Sequence, residues 1–259
     1  MQMKFILNLV LCFLLLSCAQ IQKQAKNTKA IKQQAHQQEI KENKISLQEK
    51  LNNFAAVAKS KLSQEQKKVM IESLYRLKNQ GLQNNFPKIG DSVRNFKLKD
   101  SLGSEVNLYD TLNDNAVLLL FYRGSWDPYC NLELKEYKDY YQEFLQANVQ
   151  IFAISPEKKS LAQAFQNYHV FPFPLLIDKK NKLAKRFNLV YELDAKLAPI
   201  YENMGIDLKD RNDNKNNELP VPAAILIDQN RVIKYVFAEL DYKKRAEPDS
   251  VLAVVKARL

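Results

Sequence analysis

Cys130 closes the run Arg123-Gly124-Ser125-Trp126-Asp127-Pro128-Tyr129-Cys130. A cysteine reacts as its thiolate, so its neighbours decide what it can do. Asp127-Pro128 reads as a helix start, because Asp is a good N-cap and Pro suits the first helical position. Cys130 then lies in the first turn, where the helix dipole favours an anion by about 0.3–1 kcal/mol. Asp127, about one turn away, opposes this: at roughly 6 Å in a watery site two like charges repel by about 0.7 kcal/mol. The two effects nearly cancel, and Arg123 tips the balance toward thiolate if its side chain turns to the sulfur. Two readings stay open. In one, Cys130 is a reactive thiol, open to oxidation and restored by an external thiol. In the other it is a buried, inert cysteine of a first helical turn. Asp127 is either a plain cap or a proton handler. Trp126 and Tyr129 either line a substrate surface or pack beneath the loop.

The chain carries two further cysteines, both near its start. After Lys4, residues 5–16 are apolar except for Asn8 and include Cys12. This run is too short to span a bilayer core of ~30 Å and reads as a signal peptide over residues 1–17. Leu15-Leu16-Ser17-Cys18 resembles the bacterial lipoprotein lipobox. That resemblance implies cleavage before Cys18, lipidation of its sulfur, and firm attachment to a lipid bilayer by several acyl chains. Ala19 follows Cys18 where an acidic residue would favour the inner membrane in enteric-type sorting. The expected location is therefore the cell envelope, facing the periplasm, on the outer membrane. Cys130 would then be the single thiol of the mature protein, with no disulfide partner. Together with His36 and His169 it makes no usual zinc ligand set, and no cofactor or metal is implied. His169 falls at a predicted helix end and reads as a cap or surface residue.

The net charge of +10 is concentrated near the start of the chain. Residues 19–85 hold 13 Lys and Arg against 5 Glu, a difference of +8. Before Phe54 that segment has no aromatic residue on which bases could stack, which speaks against nucleic acid. Residues 18–45 read as a basic polar tether, solvated or lying near an anionic membrane surface. Residues 46–85 read as a helical extension. Ser46-x-x-Glu49 and Ser63-x-x-Gln66 are capping-box patterns, followed by Leu47, Leu51, Phe54, Ala58 and Leu62, then Val69, Met70, Leu74 and Leu77, at helical spacing. Gly81 suits the residue just past a helix end. These stripes read as core-packing faces, with partner binding as the alternative.

Residues 86–259 read as α/β. Short strands at 96–98 and 106–108 flank a hairpin turn at 101–104. The continuous apolar run 117–122 fits a central buried strand. A helix over 132–145, a strand over 149–154, a helix over 157–168, a strand over 175–178 and a helix from 183 follow. Residues 190–219 read as an insertion made of one helical stretch and a polar loop. Strands at 223–228 and 232–237 and a helix over 248–259 complete the chain. This order fits a thioredoxin-like sandwich among several α/β options.

Five segments add a resemblance. Residues 121–131, Phe-Tyr-Arg-Gly-Ser-Trp-Asp-Pro-Tyr-Cys-Asn, are similar to the FYRGxWCPYCN segment of the peroxiredoxin-like family in the alkyl hydroperoxide reductase/thiol-specific antioxidant superfamily. Ile154-Ser155-Pro156, Phe173 to Asp178, Leu219 to Ala223, and Asp241-Tyr242 with Arg245 and Glu247-Pro248 resemble further family motifs in the same order. The resemblance spans about residues 69–259. It implies a thioredoxin-like fold, a thiol-dependent oxidoreductase acting on hydroperoxides or protein thiols, and an external thiol reductant. The departures matter as much. Asp127 stands where this family has the first Cys of CxxC, so a two-thiol cycle is unavailable. Against classical peroxiredoxins, only the cysteine itself is kept: Arg123 aligns with their loop proline, Asp127 with their Thr or Ser, and Pro222 with their later Arg. The resemblance also implies that Pro222 is a cis-proline beside the site. Arg245 reads as a structural ion-pair partner, with a site role as the alternative. The alternative function is a non-catalytic thioredoxin-fold binding module.

Overall fold

The computed structural model describes residues 45–258. The expected signal peptide, the expected lipidation site Cys18 and nearly all of the segment read as a basic tether lie outside the described residues. From Ser46 the chain forms one compact unit. It opens with α1 (Leu47–Ser60) and α2 (Gln64–Asn79). Ser46 caps α1 through the Glu49 N–H, while Ser63 and Gln66 complete a reciprocal capping box on α2. Gly81, at φ +71°, supplies the left-handed residue after α2.

β1 (Lys97–Lys99) and β2 (Glu105–Asn107) form the expected hairpin. Its turn closes on Asp100, whose carboxylate accepts the N–H groups of Leu102, Gly103 and Ser104. The second strand ends before Leu108 because Asn107 caps the short helix α3 (Leu108–Leu112).

The core is built on β3 (Ala116–Phe121), buried at every residue. It lies parallel to β4 (Val149–Ser155), which is parallel to β5 (Leu175–Ile177). On its other side come β8 (Ala223–Ile227) and then β9 (Ile233–Ala238), both antiparallel to their neighbours. The order is β5-β4-β3-β8-β9. Alternation along β3 splits the core in two. Leu118 and Leu120 face α4 (Pro128–Asp139), α5 (Tyr141–Gln146), α6 (Lys159–His169) and α10 (Pro248–Arg258). Val117, Leu119 and Phe121 face α3 and α7 (Lys182–Arg186). Each fully buried large apolar side chain contributes roughly 1.5–3 kcal/mol.

Three expectations change. The helix placed at 132–145 starts earlier, at Pro128, because Asp127 caps it, and it breaks at Tyr140 into α4 and α5. The 190–219 insertion holds more order than one helix and a loop: β6 (Val190–Glu192), α8 (Ala198–Asn203), α9 (Leu208–Arg211) and β7 (Glu218–Pro220). β6 and β7 pair antiparallel, and three-residue strands are too short to show a period of two. Pro222 is not a cis-proline; the described residues contain no cis peptide bond. The chain runs on from β7 to β8, with the Val221 N–H held by the Leu189 carbonyl at 2.7 Å.

Candidate functional site

The loop 122–127 leaves the C-terminal end of the central strand β3 and turns directly into α4. Gly124 makes this turn possible. Its φ is +148°, and a Cβ there would lie 2.5 Å from the Trp126 Nε1 and 3.3 Å from the Glu157 carboxyl carbon. Glu157, wholly buried, fixes the loop by accepting the Ser125 N–H at 2.7 Å and the Ser125 hydroxyl at 2.9 Å. Arg211, from the insertion, pairs with Glu157 at 2.9 Å and tethers the insertion to the same loop.

Asp127 is the hub. Its Oδ1 accepts the Tyr129 N–H at 3.0 Å, which is the expected N-cap. Its Oδ2 accepts the Arg123 Nε–H at 2.6 Å and the Cys130 thiol at 2.9 Å. The watery separation of roughly 6 Å expected between Asp127 and Cys130 is therefore overturned. The two side chains touch, and both are 0% exposed. Arg123 does turn into the site, but it serves Asp127. Its guanidinium lies 4.0 Å from the Tyr242 ring centre and 5.0 Å from that of Trp126, and it reaches the Tyr201 hydroxyl at 3.3 Å. The Arg123 backbone N–H points at the sulfur from 3.4 Å.

Arg245 is the larger surprise. It makes the ion pair expected of it, with Glu133 at 2.7 Å, but its Nη2 also stands 3.4 Å from the Cys130 sulfur and 3.9 Å from Asp127. It further donates to the Tyr242 and Lys244 carbonyls. Arg245 and Glu133 belong to the thiol's surroundings; the sequence pointed to Arg245 as an ion-pair partner but not to its place at the sulfur, and did not point to Glu133. Glu133 lies one turn along α4 from Cys130, a spacing that could have signalled it.

These contacts set the charges. Burial raises the Asp127 carboxyl, but the Arg123 guanidinium beside it, helped by Arg245, outweighs this and holds it below the usual carboxylate range. Burial first, and Asp127 second, push the Cys130 thiol up to about 12, against the pull of Arg245 and Arg123. Burial likewise lifts Glu133 to about 7 against the charge of Arg245. The resting site is thus a protonated thiol donating to an ionised carboxylate, between two buried guanidinium groups.

The remaining candidates fall around this centre. Tyr129 packs edge-on against Phe54 at 5.1 Å and against Tyr242 at 5.3 Å, and Trp126 against Tyr201 at 5.6 Å. Both aromatic residues also line a cavity, so the packing and lining readings coexist. Ala223 pairs with Phe121, and that register carries Pro222 level with Tyr122 at the start of the loop. His169 ends α6, packed against Phe165 and Phe171. Among the described residues no group of three His, Cys, Asp or Glu side chains could hold a metal ion.

Residues 89–236 match the family model described as AhpC/TSA family. Peroxiredoxin Bcp of Bacillus subtilis is 30% identical over 120 residues, which cover 46% of this chain and 74% of that protein. The chain belongs to the AhpC/TSA family. The fold agrees with it. Peroxidoxin BcpB from Mycobacterium tuberculosis aligns with a TM-score of 0.53 at 24% identity, over 66% of this chain and 98% of that one. A yeast mitochondrial 1-Cys peroxiredoxin aligns with a TM-score of 0.50 at 19% identity, over 66% and 76% of the two chains. The AhpC/TSA match holds Arg123, Asp127, Cys130 and Glu133. Arg245 and the helices α1 and α2 lie outside it.

Proposed function

We propose that this protein is a peroxiredoxin-type thiol peroxidase that works through Cys130 with an external thiol as reductant. The observation that carries the reading is the constellation at the sulfur: Asp127 Oδ2 at 2.9 Å, the Arg245 guanidinium at 3.4 Å and the Arg123 N–H at 3.4 Å, within a chain of the AhpC/TSA family. The sulfur attacks one peroxide oxygen and the O–O bond breaks. The thiol proton passes by way of Asp127 to the departing oxygen, giving a sulfenic acid and an alcohol or water. Arg245 and Arg123 stabilise the negative charge that develops on sulfur and oxygen. A reductant thiol then displaces water from the sulfenic acid to form a mixed disulfide. A second reductant thiol releases Cys130 and leaves as the oxidised pair. Cys130 is the only cysteine among the described residues, so the cycle proposed is a one-Cys cycle. Because the sulfur is wholly buried, the peroxide reaches it when the loop 123–127 shifts.

The same burial favours a second reading. A thiol raised to about 12 and satisfied by Asp127 suits a binding module of this fold with an inert cysteine. Trapping separates the two. Hydrogen peroxide and then cumene hydroperoxide are added to the chain from Gln22 onward, with Cys130→Ser as control, and sulfenic acid is captured and located by mass spectrometry. Capture at Cys130, faster than on a small free thiol, is expected of the peroxidase. Capture no faster than on that thiol leaves the binding module.

The proposal includes a place. The sequence Leu15-Leu16-Ser17-Cys18 supports lipid attachment at Cys18, hence an envelope protein facing the periplasm. Among the described residues no helix is long and apolar enough to cross a membrane.

A further inference from the structure

Between α1, α2 and the site loop lies a cavity of about 950 Å³. That is the upper end of the ~300–1,000 Å³ usual for small-molecule sites. Its walls are apolar: Phe54 and Leu62 from α1 and the turn after it, Met70 and Leu74 from α2, and Met204 and Ile206 from the insertion. Trp126 and Tyr129 make its end beside the site loop. α2 is poorly covered for an amphipathic helix. Of its residues only Ser73 is buried, while Ile71 and Tyr75, both lining the cavity, are 65% and 68% exposed. Met70, Ile71, Leu74 and Tyr75 line this space, while Leu77 packs against the domain core.

The charge around the cavity is one-sided. Lys59, Lys61, Lys67, Lys78 and Lys243 line it, and the only carboxylate in the lining is Asp127, already engaged by Arg123. Lys78 and Lys243 have acidic partners, Glu239 and Asp241. Lys59, Lys61 and Lys67, clustered about the turn between α1 and α2, form no ion pair among the described residues. An apolar hollow with three unneutralised ammonium groups at one end selects a molecule with an apolar body and an anionic head. The chain's own segment 19–44 is a poor occupant, since it carries six Lys against two Glu and would be repelled.

We infer that this cavity is a binding site for a single-chain carboxylate amphiphile, its tail lying between α1, α2 and Trp126 and its carboxylate held by Lys59, Lys61 and Lys67. The site goes beyond the proposed chemistry and does not depend on it. Both helices that form it fall outside the family match.

The test uses the full chain from Gln22 onward and laurate below its micelle concentration. Trp126 is the only tryptophan and stands in the cavity wall, so its emission reports occupancy directly. Calorimetry gives an independent isotherm. Saturable binding near one equivalent with a shift of Trp126 emission is expected. Dodecyltrimethylammonium, with the same tail length and a cationic head, should bind at least tenfold more weakly. The triple variant Lys59→Glu, Lys61→Glu, Lys67→Glu, with circular dichroism as the check on folding, should weaken laurate at least tenfold. Cys130→Ser should bind laurate as the parent does, which separates this site from any failure of the peroxidase reading. Absence of a saturable isotherm, equal binding of the two head groups, or an unchanged triple variant would each overturn the assignment. Tighter binding of lysophosphatidylcholine than of laurate would overturn it in favour of a phospholipid source.

Discussion

Asp127 does three jobs that one residue type rarely combines: it caps α4, neutralises a buried arginine, and accepts the hydrogen bond of the only described thiol. The capping role follows from Asp before Pro at a helix start, whereas Arg123 was read as a possible neighbour of the sulfur and not as the partner of Asp127 that it is. The distance and dryness of the Asp127–Cys130 contact were not legible, because burial is a property of the assembled core and not of local spacing. Arg245 was hidden for a related reason. It meets the sulfur across 115 residues of chain, so no local pattern ties the two together. The contact has a measurable consequence. Burial and Asp127 both raise the thiol, so its titration midpoint lies near 12 and alkylation should stay slow through neutral and mildly alkaline pH, rising only as pH approaches that value. Asp127→Asn keeps a side-chain oxygen for the cap and removes the repelling charge. The midpoint should fall toward the ordinary value, and iodoacetamide labelling of Cys130 at pH 8.5 should speed up by roughly tenfold or more, one pKa unit being about 1.4 kcal/mol. An unchanged labelling rate in Asp127→Asn would mean that burial alone controls the thiol.

At the scale of elements, α1 is held to the domain at its first turn. Leu47 and Leu51 are fully buried, packed with Tyr129, and the backbone N–H groups of Leu47 and Gln48 donate to the Glu247 carboxylate at 3.0 and 2.7 Å. An anion at a helix N-terminus, satisfying two otherwise unpaired donors, is favourable by about 1 kcal/mol. Glu247 thus joins the Glu247-Pro248 motif at the start of α10 to the N-terminal helices. Its own side chain acts at the far end of the sequence, which explains why the motif was readable and its role was not. The regular elements were legible wherever a run was long enough to show its period: β3, β4, α2 and α6 all lie within a few residues of where the apolar pattern puts them. β6 and β7, three residues each, were not. Glu247→Ala should leave the central sheet unaffected and release the first turn of α1. Hydrogen exchange is expected to speed up at Leu47 to Lys50 while β3 and β4 stay protected, with a loss of global stability of about 1 kcal/mol or less. Equal protection of α1 in the variant and the parent would show that the helix is secured without Glu247, by the packing of Leu47, Leu51 and Phe54 and the Lys50–Glu136 pair.

At the scale of the whole molecule, charge and chemistry sit at different places along the chain. The thiol and its ion pairs are sealed within the fold, whereas residues 22–45 carry six Lys against two Glu. An anionic bilayer attracts such a segment by about 1 kcal/mol per Lys near the surface, and salt screens that attraction within about a Debye length. A lipid-free chain starting at Gln22 should therefore sediment with vesicles containing phosphatidylglycerol at low ionic strength and be released by about 0.5 M salt. The compact unit from Ser46 to Leu259 keeps a net charge of +5 but spreads it over 214 residues, whereas the segment it lacks carries +4 within 24, so it should bind less under the same conditions. Neutral phosphatidylcholine vesicles should retain neither. The comparison discriminates between two origins of membrane affinity. If the attraction is electrostatic and carried by the tether, removing residues 22–45 weakens it and salt reverses it. If the shorter chain binds as well as the longer one and salt has little effect, the affinity belongs to the apolar cavity rim of α1 and α2, and the basic segment contributes only solubility.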